Sequence, residues 1–298
     1  MQWKIWGAIV AASFGWGTIG VATRAALNNG VPPIGMAAIR AVMASIVLYA
    51  ILLARHHRPG RDRQRWRIGF IAGVFNLSVP FILFTLAYQY ASAGFVGLLN
   101  ALMPLGTATV AHFLLPDEPM RVSKMVGLSV AFLGVSVLLI SGDSGLASGG
   151  QPLLAGFLTI GAVASISFST VYVRGKVGGF DPLQLTFMQT FVGVFIISTI
   201  MFIVEGVPTD ISAQSWALII YLTFAGSVIP TIILYWLLQR VTSTTASLVG
   251  YVVPLIALVA GIVFLNEVIQ LGIAIGGTLI LVGIVLTDRS ERRGPVRA

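Results

Sequence analysis

Ten apolar runs of membrane-spanning length, joined by connections too short to fold alone, constrain this chain more than any other feature. A helix needs ~20 apolar residues to cross ~30 Å of hydrocarbon. Inside lipid every backbone polar group must be satisfied by protein, which leaves helices or closed barrels, and runs of this length select helices. They fall at 5–26, 34–54, 68–90, 93–115, 122–141, 153–174, 183–204, 214–239, 243–265 and 269–287, with ends placed to about 2–4 residues. Of the 298 residues, 57% are hydrophobic and 9% charged, where a soluble domain carries roughly 25% charged residues. The fold class expected is all-α integral membrane. Lys4 before an apolar stretch also fits a cleaved signal peptide, but the first run has a counterpart in the second half, which favours its retention.

The net charge of +8 is topological rather than a sign of nucleic acid. Sixteen Lys and Arg gather on one side of the expected spans: Lys4, the Arg55–Arg67 segment, Arg121, Lys124, Arg174, Lys176, Arg240 and the tail from Arg289. The opposite side has Arg24 alone. The positive-inside rule then places both termini in the cytoplasm, which an even number of spans requires. His56 and His57 lie in this basic loop and read as solvated residues.

The two halves repeat. An offset of 150 pairs Arg24 with Arg174, Pro32 with Pro182, Pro80 with Pro230, Gln89 with Gln239 and Pro104 with Pro254. One residue less pairs Glu118 with Glu267, Gly127 with Gly276 and Gly134 with Gly283. We expect a first five-helix repeat over 1–145, a second over 146–288 and a basic cytoplasmic tail over 289–298. Five is odd, so the second copy enters the membrane from the other face. Inverted repeats of this kind enclose a substrate site near the midplane, and a central cavity is expected between the halves.

Gly15-Trp16-Gly17-Thr18 followed by Arg24, and prolines in the fourth and ninth spans each followed by an acid at the helix end, resemble the EamA-type members of the drug/metabolite transporter superfamily. The resemblance covers 5–287 and implies a ten-helix exporter of small metabolites. Within that group the chain is similar to bacterial amino acid exporters, including the aromatic amino acid and paraquat type. The small four-helix members carry a glutamate in their first helix; the first span here has no acid, so their coupling mechanism does not carry over.

Candidate substrate-binding residues follow from rarity and depth. Arg40 lies seven residues past Pro33, ~10 Å into its helix, where a guanidinium costs up to ~2.5–3.5 kcal/mol. It either snorkels outward or faces the interior to meet a carbonyl, an acid or a substrate carboxylate. Pro80, Pro104, Pro230 and Pro254 each remove a backbone donor within a span and are candidate hinges, or packing kinks alone. Near them lie Asn76, Ser78, Phe84, Tyr88, Asn100, Met103, Tyr235, Trp236 and Tyr251, with Trp16 deep in the first span. As a set they suit an aromatic, weakly polar cavity; any one of them could equally be packing. Small-residue faces at Gly272 and Gly276 and at Gly7, Ala11 and Gly15 read as close helix packing and leave monomer or dimer open.

The chain has no Cys, which excludes thiolate chemistry, and the apolar parts of the spans lack Asp and Glu. No metal or cofactor is expected; the partners expected are a small-molecule substrate and lipid, without nucleic acid. His112 is the one candidate for proton coupling, and uniport of neutral or aromatic amino acids, or of flat organic cations, is the preferred reading. Alternatives are an exchanger of phosphorylated or nucleotide sugars, a membrane-embedded enzyme, or a non-transporting receptor. The setting expected is a bacterial inner membrane.

Overall fold

In the computed structural model, residues 2–55, 62–114, 122–147, 149–174, 176, 181–238 and 248–292 are described, and within them the regular structure is entirely helical. The order is α1 (Gln2–Gly17), α2 (Ile19–Asn28), α3 (Pro33–Ala54), α4 (Arg63–Ala72), a π-helical segment π1 (Gly73–Ser78), α5 (Val79–Tyr90), α6 (Ala93–Asn100), α7 (Met103–Leu114), α8 (Val122–Ile140), α9 (Pro152–Arg174) and α10 (Pro182–Val204). There follow α11 (Ala213–Thr223), a second π segment π2 (Phe224–Val228), α12 (Ile229–Leu238), α13 (Leu248–Leu265) and α14 (Leu271–Arg292). Seven runs are long and apolar enough to cross a membrane: 3–28, 33–54, 63–90, 93–114, 152–173, 183–204 and 213–233. Shorter apolar helices at 125–140, 252–265 and 271–286 coincide with the remaining three runs read from the sequence.

Four of the runs are not plain α-helices. The first is interrupted at Thr18 and the fourth at Ala101–Leu102, while the third and eighth pass through π1 and π2. Both π segments precede a buried proline, Pro80 or Pro230. Proline lacks an N–H and its ring clashes with the carbonyl one turn back; widening the turn relieves the clash and leaves carbonyls to be satisfied. Serine does this in both places. Ser78 Oγ donates to the Gly73 carbonyl at 2.8 Å, and Ser227 Oγ to the Leu222 carbonyl at 3.2 Å, each five residues back. The prolines at 104 and 254 behave differently from each other. Pro104 is exposed at the start of α7, after the break, whereas Pro254 is buried inside α13.

Helices from the two halves of the chain pack on each other: α3 on α10, α5 on α9, α1 on α12 and α13, α6 on α13, and α8 on α14. The last pair is antiparallel and held by crossed glycines. A Cβ on Gly134 would come within 2.6 Å of the Gly276 carbonyl oxygen, and one on Gly283 within 2.5 Å of that of Gly127. Gly127 thus faces Gly283 while Gly134 faces Gly276. The small-residue face containing Gly276 is therefore consumed inside the chain. Gly15 is likewise pressed against the Ala225 carbonyl of π2 and the Pro230 ring, whereas Gly7 has open space around it. Gly276→Val should lower the thermal midpoint by the equivalent of ~2 kcal/mol, and Gly7→Val should leave it unchanged; detergent melts of the two variants check this.

Candidate substrate site

Arg40 does not snorkel. Its position on α3 turns the side chain into the bundle, where the residue is 5% exposed. Its Nη2 donates to Ser227 Oγ at 3.3 Å, and its guanidinium carbon stands 5.0 Å from the centroid of the Phe81 ring. Nε is buried with no hydrogen-bond partner. Among the described residues no carboxylate lies within 4.0 Å of it. A guanidinium presents five donors; here one is used by a neutral hydroxyl, and an aromatic face supplies a cation–π contact. Its partners among the described residues are thus a hydroxyl and a ring, both neutral.

The π turn explains why Ser227 can serve. Its hydroxyl hydrogen is committed to the Leu222 carbonyl, which leaves an oxygen lone pair for Arg40. Ser78, at the matching place in π1, donates to its own helix and is 1% exposed. Position 190, which is 150 residues beyond Arg40, holds Thr190, whose hydroxyl returns to the Thr186 carbonyl. The charge belongs to one half only.

The structure brings some of the expected residues together and disperses others. The Tyr88 ring packs with Val21, Ala93 and Ala260. Asn76 Nδ2 donates to Gln189 Oε1 at 3.2 Å, tying π1 to α10. Asn100 closes α6 at the break, its Oδ1 buried without a partner, and half-buried Met103 opens α7. Phe84 packs into the cluster around Phe95 and Leu99. Trp16 packs beside Ile9, Ile233 and Val253. The side chains of Tyr235, Trp236 and Tyr251 lie outside the described residues, as does Glu118. His112 is exposed near the end of α7, its ring 5.1 Å from that of Phe113. A shallow groove of about 590 Å³ lined by Leu139, Ile140, Gln151 and Pro152 has no charged side chain and is formed by other residues than those around Arg40.

Sequence reasoning missed Phe81 and Ser227. Phe81 directly follows Pro80, and Ser227 sits three residues before Pro230 much as Ser78 sits two before Pro80; the repeat contained the signal. It also missed a second polar contact between halves, the 2.6 Å hydrogen bond between the hydroxyls of Thr18, at the α1–α2 break, and Tyr221 of α11. No group of three or more His, Asp or Glu forms a metal cluster among the described residues.

Ser227→Ala removes a hydrogen bond at each end and should destabilise the protein by ~1–3 kcal/mol. Ser136→Ala, which frees only a bond to its own helix, should cost well under half of that; thermal melts of both variants make the comparison.

Comparison with known proteins gives a consistent result. The model of the EamA-like transporter family matches twice, over residues 3–140 and 153–288. The uncharacterized transporter YvbV of Bacillus subtilis is 27% identical, covering 93% of this chain and 89% of its own. The protein PecM of Dickeya dadantii is 28% identical over 92% and 88%, and the uncharacterized inner membrane transporter YedA of Escherichia coli K12 is 26% identical over 86% and 81%. A crystal structure 19% identical in sequence superposes with a TM-score of 0.64, covering 97% of this chain and 99% of the other, so the two share a fold. The chain belongs to the EamA-like transporter family of the drug/metabolite transporter superfamily, and is a membrane transporter.

Proposed function

We propose that this protein exports small amphipathic metabolites, neutral or aromatic amino acids foremost, from the cytoplasm across a bacterial inner membrane. The observation that carries the reading is Arg40: a buried guanidinium held by Ser227 and Phe81, with no carboxylate beside it among the described residues. A substrate carboxylate supplies the missing charge through a charge-assisted pair, and the neighbouring Phe81 ring offers apolar surface to the rest of the solute. A phosphorylated sugar brings two negative charges and calls for clustered cations; Arg40 meets a hydroxyl and a ring instead, which disfavours the exchanger reading.

Transport proceeds by alternating access between two inverted five-helix halves in a ten-span bundle, both termini being cytoplasmic. Support comes from the twofold family match, from the paired π segments, and from the crossed glycines of α8 and α14. Gly127 and Gly276 are repeat mates, as are Gly134 and Gly283. Contacts of 127 with 283 and of 134 with 276 are what a two-fold axis between antiparallel helices generates, each mate meeting the other's neighbour. Such an axis lies in the membrane plane and exchanges the two faces. The name of the relative YedA supports the inner membrane setting.

The test is flux into proteoliposomes with a panel of labelled amino acids, their amides and flat organic cations, with and without a pH gradient. Amino acids should move, their amides should move at least ~10-fold more slowly, and the gradient should matter little. Arg40→Leu should abolish amino acid flux and Arg40→Lys should retain part of it, because a point charge replaces a fork of donors. Undiminished flux in Arg40→Leu removes Arg40 from the mechanism.

A further inference from the structure

At one end of the bundle, carboxylates reach from one half of the chain to helix starts in the other. The first N–H groups of a helix have no partner within it, and an anion placed there satisfies them and meets the positive end of the dipole. Glu205, after α10, accepts from Ile34 N at 3.1 Å and Gly35 N at 2.8 Å at the start of α3. Asp143, after α8, accepts from Gly272 N at 2.7 Å at the start of α14. Glu267, after α13, accepts from Ala93 N at 2.7 Å and Gly94 N at 3.2 Å at the start of α6.

Among the described residues, Glu267 differs from the other two in having a side-chain cation. Asn266, with a left-handed φ of 52°, turns the chain at the end of α13 and brings the Glu267 carboxylate onto α6 and α2 together. Arg24 Nη1 donates to its Oε1 at 3.1 Å, with the side chains 12% and 6% exposed. The connections at this end, 27–33, 91–92, 141–151, 205–212 and 266–270, contain no Lys or Arg. Arg24, from within α2, thus brings Glu267 a cation that these connections do not supply. Val21, Ala93 and Ala260 form an apolar layer beside the pair, closed by Tyr88 and Leu265. Tyr88 reaches across to α2, where a Cβ on Gly20 would meet its hydroxyl at 3.0 Å.

We propose that Arg24, Glu267 and the start of α6 form the gate that closes this end of the transport path, with Val21, Ala93, Ala260 and Tyr88 as its dry layer. This rests on the transport reading above. Outward opening has to part α13 from α2 and α6, because Glu267 bonds to both. Three bonds converge on one carboxylate, so its departure frees α2 and α6 in one movement. Removing the charge pair then shifts the population toward the state open at this end.

The absence of Cys makes a clean reporter possible. Ala260→Cys puts one thiol in the dry layer, and a membrane-impermeant maleimide is added to sealed vesicles from the face that bears Glu267. Adding Arg24→Gln should speed labelling by about five-fold or more, as should Glu267→Gln. The combined variant should label no faster than the faster single one, since both remove the same contact. Arg24→Gln leaves Glu267 bonded to Ala93 and Gly94, so α6 stays capped; should Glu267→Gln not fold, Arg24→Gln alone decides. A labelling rate within about two-fold of the parent for Arg24→Gln, or gains from the two variants that multiply, overturns the gate. Solute flux is measured on the same vesicles. If no solute moves in the parent, the transport reading fails, while the labelling comparison still judges the gate.

Discussion

A backbone amide or carbonyl in hydrocarbon has no water to fall back on, and the features that distinguish this bundle from plain packed helices are answers to that constraint. An unsatisfied buried polar group costs ~1–3 kcal/mol, so each departure from the α-helix needs a partner in place. Pro80 and Pro230 disturb the hydrogen-bond ladder; the π turns before them spread the strain, and the hydroxyls of Ser78 and Ser227 cover carbonyls five residues back. Helix starts are the other weak point. Glu205, Glu267 and Asp143 cover those of α3, α6 and α14 from a distance. Satisfying a local need in this way ties one half of the chain to the other.

The same repairs position the candidate site. Ser227 exists as a carbonyl partner first, and its spare lone pair is what Arg40 finds. A straight α-helix through this region would let that hydroxyl bond a carbonyl one turn back, with its position on the helix face shifted by one residue. The asymmetry between halves has a comparable origin. Both carry a π turn, a proline and a serine, but only the first carries an arginine against the partner's serine; its counterpart, Thr190, is satisfied within its own helix. At the same offset Phe81 corresponds to Thr231 and Ser227 to Leu77, so the halves differ at each position that meets around Arg40.

Much of this was legible from residues alone. Among the described residues, apolar run length located the seven helices long enough to cross a membrane and the three shorter apolar ones, because in lipid that length is set by bilayer thickness. The depth of Arg40 marked it as exceptional, since a charge far from both interfaces has few explanations. The π turns were not legible: Pro80 announces a disturbance, but whether the helix kinks, breaks or widens depends on which hydroxyl is nearby. Pro104 and Pro254 make the point, being repeat mates with different local outcomes, a helix start and a helix interior. The listing of aromatic residues by depth mixed core with site. Trp16 and Phe84 pack into apolar clusters, whereas Phe81, which meets Arg40, carried no polar mark. Arg24 and Glu267 looked like interfacial residues with separate reasons to exist; their meeting is a matter of tertiary geometry, 243 residues apart in sequence.

The glycine seam between α8 and α14 bears on how such a chain could arise. Because Gly127 meets Gly283 and Gly134 meets Gly276, the surface on one helix is the mate of itself. A half-length ancestor carrying that surface could associate with another copy of the same polypeptide, provided the second had threaded the bilayer in the opposite sense. Fusion in tandem removes the need for a single gene product to insert both ways, and it frees each copy to diverge on its remaining faces while the seam keeps its steric limit.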